Sequence, residues 1–127
     1  MLSVLRIVTG LIFIPYGTMK LFNIPPMPPG QPPLDLMSQT GLAGILEAFG
    51  GLAFTLGLFT RPVAFILAGE MAVAYFQFHF PQSFWPIVNM GVPAILFCFI
   101  FLYFVFSGAG VWSVDAMLAR SKRDRPA

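Results

Sequence analysis

Two glutamates, Glu47 and Glu70, stand inside long apolar stretches of this 127-residue chain, whereas nearly every other ionisable residue lies near a stretch's end. A carboxylate in hydrocarbon costs at least ~2.5–3.5 kcal/mol, so each must pair, take up a proton or face a polar cavity. Those fates correspond to an ion pair, a proton site, or a seat for the polar head of a hydrophobic ligand. Lys20 and His79 complete the candidate ligand-binding set with Glu47 and Glu70. Glu47, Glu70 and His79 carry metal-capable atoms, but opposite helix faces and unequal depths argue against one shared metal centre. No phosphate loop, nucleophile triad or haem-attaching cysteine motif is present, so no self-contained catalytic motif is identified.

Helical spacing decides which of these residues share a face. Arg6, Gly10, Phe13, Gly17 and Lys20 fall close to one stripe at about 100° per residue, and the two glycines let a neighbouring backbone approach. Gly44 and Gly51 flank Glu47 three residues before and four after, giving a second small-residue face that carries a charge. Glu70, Ala74 and Gln77 share a third stripe, whereas His79, nine residues from Glu70, points nearly opposite. At 1.5 Å per residue Glu47 lies roughly 9 Å below the outer end of its helix, within reach of Lys20 near the end of the first stretch. A Lys20–Glu47 ion pair is therefore expected. Glu70 lies about 12 Å from the inner end of its helix. Its options are protonation, a hydrogen bond to Gln77 or Tyr75, a cavity, or a reaching Arg6.

The elements that must position these groups follow from composition. Only 9% of residues are charged and 57% are hydrophobic, against roughly 25% charged in soluble domains, which points to lipid as the solvent. Four apolar stretches, about 2–24, 41–59, 62–80 and 87–106, match the ~20 residues needed to cross a ~30 Å core. The first lacks a small-x-small cleavage site before its polar flank and reads as a retained helix. The expected fold is one all-α domain over 1–127, an integral membrane bundle of four transmembrane helices. Placing both termini in the cytoplasm puts Arg6, Arg61, Arg120, Lys122, Arg123 and Arg125 inside and only Lys20 outside, which satisfies the positive-inside rule.

The outer segment 25–40 carries Pro25, Pro26, Pro28, Pro29, Pro32 and Pro33 and reads as a stiff extended cover. The basic stretch 116–127 reads as a frayed topogenic tail. Arg61 and Asp115 are expected at the inner headgroup level as a structural clasp, with Arg6 as a third structural charge. Cys98, the lone cysteine, reads as a packing thiol. Phe76, Phe78, Phe80, Phe84 and Trp85 crowd around His79, as interfacial anchors or as a stacking surface for a flat ligand such as a quinone. With a net charge of +2 and basic residues at membrane edges, nucleic-acid binding has little support.

Taken in order, Arg6 with Gly10-Leu11-Ile12-Phe13, Tyr16-Gly17-Thr18-Met19-Lys20-Leu21, Glu47-Ala48-Phe49-Gly50-Gly51, Gly57-Leu58-Phe59-Thr60-Arg61, Ala72-Val73-Ala74-Tyr75 with His79, Asn89-Met90-Gly91 and Gly108 to Asp115 resemble the DoxX family over nearly the full length. The chain differs in having Tyr16 where relatives often have His, and Val92-Pro93 where a Glu often follows the glycine. The resemblance implies a four-helix inner-membrane protein, some relatives being subunits of thiosulfate:quinone oxidoreductase or acting in oxidant defence. The leading expectation is a redox-associated subunit, an accessory to a quinone-linked oxidoreductase, with a hydrophobic small-molecule or quinone site near Lys20, Glu47, Glu70 and His79. Its partners would be the lipid bilayer and a redox subunit or further copies of itself. The rival is a non-catalytic assembly protein whose charges only fix packing, and a small transporter ranks third.

The charge split generates a topological prediction. In a Cys98→Ala background, Ser121→Cys should label from the cytoplasm and Gln31→Cys from outside. The inverse pattern would overturn every depth assignment above.

Overall fold

The computed structural model describes residues 1–31 and 35–126, and among these the chain is helical with no strand. Helix α1 spans Leu2–Phe22 and stops where Asn23 turns left-handed (φ 55°), its N–H bonding back to Met19 and Thr18. Asn tolerates that conformation better than other non-glycine residues, so the helix ends two residues before the expected 24. Ser38 caps α2, Gln39–Ile45, by accepting a hydrogen bond from the Gly41 N–H. The rod then widens into a π turn at Leu46–Gly50 and resumes as α3, Gly51–Leu56. Gly57, left-handed at φ 70°, terminates it, so the second helix covers 39–56 where 41–59 was expected.

The third helix begins at Thr60, two residues before the expected 62, as α4, Thr60–Ala74. It passes into a second π turn, Tyr75–His79, and a 3-10 turn, Phe80–Gln82. The expected continuous helix 87–106 is broken. A single turn, α5 at Pro86–Asn89, ends at left-handed Met90 (φ 59°), and α6 runs Val92–Ser107. Pro93 explains the break, because in a continuous helix its ring would collide with the Asn89 carbonyl. The stretch 116–127 is not simply frayed: α7 occupies Val114–Arg123. Ser113 caps it, Asp115 stands in its first turn, and Arg120, Lys122 and Arg123 fill its last turn, complementing the helix dipole at both ends. Residues 25–31 contain no helix, and Pro32 and Pro33 of the expected extended cover lie outside the described residues.

The chain divides into two compact units, residues 1–59 with the C-terminal segment from Ala109, and Thr60–Gly108. In the first, α1 packs antiparallel against the rod 39–56 through glycines. A Cβ on Gly17 would strike the Ala48 backbone nitrogen and lie 2.7 Å from the Gly44 carbonyl oxygen, while one on Gly10 would collide with Thr55. Phe13 and Phe54 are fully buried. In the second unit α4 packs along α6, with Ala64, Leu67, Ala68 and Met71 on one side and Ala94, Phe97, Phe101 and Phe104 on the other, all buried. Large apolar side chains such as Leu11, Ile12, Phe65, Ile66, Phe99 and Phe106 face outward. Patches of that kind suit hydrocarbon better than water. Two helices, Leu2–Phe22 and Thr60–Gln82, have the length and composition to cross a membrane, and Val92–Ser107 is a shorter apolar helix.

The close approach at Gly17 is testable. Gly17→Ala should lower thermal stability by about 1–3 kcal/mol, because backbone rather than a flexible side chain must yield. Gly69→Ala, where an added Cβ meets nothing within 4 Å, should be neutral or slightly stabilising. Equal melting temperatures for the two purified variants would refute the packing account.

Candidate functional site

Glu47 sits in the π turn Leu46–Gly50, 3% exposed and turned toward α1. The ammonium of Lys20 lies 2.6 Å from both of its carboxylate oxygens, so the pair expected from helix depth is present. The absence of a side chain at Gly44 makes room for it, since a Cβ there would lie 3.1 Å from Lys20 Cβ. The two ends of the pair differ in environment: the Lys20 side chain is 28% exposed and that of Glu47 4%. A carboxylate so deeply buried needs its cation, while an ammonium with one open side keeps a proton to offer.

Arg6 was expected among the inner-surface charges, and the structure buries it to 1% exposure. Its Nε donates to the Thr55 carbonyl (3.3 Å), Nη1 to that of Ala109 and Nη2 to that of Trp112 (2.6 Å). All three acceptors are backbone groups freed where helices end or the chain turns, so the guanidinium closes one end of the first unit. Asp115 works beside it: its N–H donates to the Gly57 carbonyl (2.9 Å), and its Oδ1 accepts from the Phe59 N–H (2.8 Å). Arg61 and Asp115, expected as a clasp, fall in different units. Within its own unit Arg61 donates to the carbonyls of Val105 (3.3 Å) and Phe106 (3.0 Å), which the end of α6 leaves without helical donors.

In the second unit Glu70 lies within α4 with both carboxylate oxygens out of solvent. Gln77, expected on the same stripe, lies in the π turn Tyr75–His79, which rotates every residue beyond it relative to a continuous α-helix. His79 is half-buried, with Nδ1 2.9 Å from the Asn89 carbonyl oxygen. That oxygen can only accept, so Nδ1 carries a proton and Nε2 is the ring nitrogen left for a further bond. The Tyr75 ring stacks on the imidazole at 6.4 Å and 24°. Gly91 permits this packing, because a Cβ there would lie 2.6 Å from Tyr75 Cε2.

Asn89, 1% exposed, holds the turn that presents the acceptor: its Nδ2 donates to the Ser83 carbonyl (2.9 Å) and its Oδ1 accepts from the Gly91 N–H (2.8 Å). Sequence reasoning quoted Asn89 only within a motif. A polar residue between Pro86 and Gly91 was the available sign of a buried turn anchor. Among the described residues no group of three or more His, Cys, Asp or Glu is placed to hold a metal ion.

The DoxX family profile matches residues 1–80. This chain belongs to the DoxX family. An uncharacterised protein of Haemophilus influenzae (strain ATCC 51907 / DSM 11121 / KW20 / Rd) is 44% identical over 128 aligned residues, covering 90% of this chain and 87% of the relative. No solved structure matches the chain. DoxX proteins are membrane-associated, which accords with the outward apolar faces of α1, α4 and α6. Lys20, Glu47, Glu70 and His79 all fall within the matched DoxX region, whereas Asn89 and Asp115 lie beyond it.

The first unit generates a paired prediction. Glu47→Gln strands the Lys20 ammonium and should cost toward the lower end of the ~3–5 kcal/mol typical of a broken buried pair, since Lys20 keeps some solvent. Adding Lys20→Met should recover part of it. Arg6→Met, leaving three carbonyls without donors, should cost at least as much with no single-site rescue. Thermal melts of the detergent-purified variants decide this; additive losses for Lys20 and Glu47 would deny their coupling.

Proposed function

We propose that this chain is a four-crossing inner-membrane protein with both termini cytoplasmic, acting as a redox-associated subunit that holds a hydrophobic, carbonyl-bearing small molecule of the quinone class. One observation carries the ligand-binding reading. The two π turns of the described residues contain Glu47 in one and His79 in the other, so the helical ladder departs from α geometry at two of the four candidate residues. Such turns sacrifice regular hydrogen bonding and recur at functional sites.

The residues fit a flat ligand bearing carbonyl groups. Lys20 keeps an ammonium proton directed away from Glu47, and His79 keeps Nε2 for a proton or an acceptor bond, its orientation held by Asn89. Tyr75, Phe76 and Phe80 supply adjoining aromatic faces, with Tyr75–Phe76 centroids at 5.3 Å. A quinone, when bound, would supply reversible uptake of electrons with protons; within the second unit Tyr75, Phe76 and Phe80 would shield it and His79 would exchange a proton at Nε2. Glu70 belongs to the same reading as a carboxyl group held away from solvent. The rival, an assembly protein without a ligand, draws support from Arg6, whose guanidinium is engaged by three backbone carbonyls and is purely structural.

Solvent extraction of protein purified from native membranes, with quinone content measured against an equal mass of lipid, distinguishes the two. The proposal expects enrichment in the unaltered protein, a several-fold loss in His79→Phe and Glu70→Gln, and little change in their melting temperatures. No enrichment, or full retention in both variants, would favour the assembly reading.

A further inference from the structure

Among the described residues, helix α7 is bonded to α1 and to the end of α3 through its beginning. The Ser3 hydroxyl accepts from the Trp112 N–H (3.1 Å), Arg6 holds the Ala109 and Trp112 carbonyls, and Asp115 is bonded at Gly57 and Phe59. These partners are the start of α1 and the end of α3, so α7 leaves the unit at the end where both helices terminate. Beyond Ala116 every residue of α7 is exposed.

The exposed part is two-faced. At 100° per residue Val114, Met117, Leu118 and Ser121 fall within one sector of about 100°, flanked by Lys122 on one side and Arg120 on the other, with Arg123 opposite. Met117 is 64% exposed and Leu118 49%, and just before the helix Val111 and Trp112 are 71% and 69% exposed. Ten residues are half of what a crossing requires. An apolar stripe edged by basic side chains and headed by a tryptophan is the pattern of a helix lying in a membrane interface. Four cations, Arg120, Lys122, Arg123 and Arg125, stand against the single acid Asp124 at this end, so the complementary surface is negatively charged.

We infer that α7 is an interfacial lipid-binding helix, its Met117/Leu118 stripe seated in the cytoplasmic leaflet and the flanking Arg120 and Lys122 side chains bound to anionic lipid headgroups. The inference rests on the membrane-spanning reading above. It assigns Arg6 a second consequence: the buried guanidinium fixes the segment from which the lipid-binding helix is launched.

The test is amide hydrogen exchange of the full chain in nanodiscs of phosphatidylcholine alone and of phosphatidylcholine with phosphatidylglycerol. Amides of residues 117–123 should exchange several-fold more slowly in the anionic discs, and the difference should vanish at high salt, where headgroup attraction is screened. Arg120→Glu combined with Lys122→Glu should abolish the difference, whereas Lys122→Arg should retain it, and exchange in α1 should not respond to any of these changes. Equal exchange in the two disc types, or protection seen only with a co-purifying polypeptide, would overturn the lipid assignment and leave the transmembrane reading intact. Release of the protein from membranes by alkaline carbonate would instead refute that reading, and the lipid assignment with it.

Discussion

A buried guanidinium organises the first unit. Removing a cation from water is expensive, and the cost is offset only when its donors are met with good geometry. Arg6 meets that condition with three backbone carbonyls, beside the Asp115 carboxylate: those of Thr55, Ala109 and Trp112 come from the end of α3 and the segment before α7. The planar fork suits three acceptors in three directions, which the compact ammonium of a lysine does not reproduce. Gly57 is part of the same construction, since a Cβ there would lie 3.1 Å from Arg6 Cζ. Fourteen residues along α1, roughly 21 Å by helical rise, Lys20 grips Glu47. The antiparallel pair is thus fastened by polar contacts at both ends, with Gly10 and Gly17 bringing the backbones together between them. Apolar surface distinguishes poorly between neighbouring helices and lipid tails, so these fastenings and close contacts specify the pairing.

The parts of this arrangement legible in the sequence were those governed by periodicity. The Arg6-to-Lys20 stripe, the small residues around Glu47 and the depth match that joins it to Lys20 follow from 3.6 residues per turn and 1.5 Å rise. Arg6 was read as a structural charge, but its partners were not legible. Its actual acceptors are carbonyls 49, 103 and 106 residues away, which carry no side-chain signature. The π turns were not legible either, since inserting one residue into a helical ladder requires no unusual amino acid, and this altered the register assumed for His79. The break before α6 was readable in principle from Pro93, and α7 from Ser113 followed by a basic last turn. Apolar continuity and the expectation of a loose tail outweighed those local signals.

Hydrogen-bonding capacity separates the structural charges from the groups that the proposed ligand would use. Arg61 spends its bonds on the last carbonyls of α6 and Asp115 on the Gly57–Phe59 turn, as Arg6 does on its three acceptors. These groups satisfy backbone that a helix end exposes, a task sequence and fold alone require. Lys20 and His79 are different. One ammonium spans two carboxylate oxygens and retains a third N–H on a partly exposed side chain. One imidazole is fixed at Nδ1 by a carbonyl and retains Nε2, which has no hydrogen-bond partner among the described residues. Each is oriented by its first bond and open at its second position, the combination that binding a polar head demands, because orientation is settled before the ligand arrives. The turn built by Asn89 therefore matters through His79: by supplying the Nδ1 acceptor it selects which nitrogen faces outward. That selection, and not the number of aromatic residues around it, is the strongest reason to look for ligand chemistry at this end of the second unit.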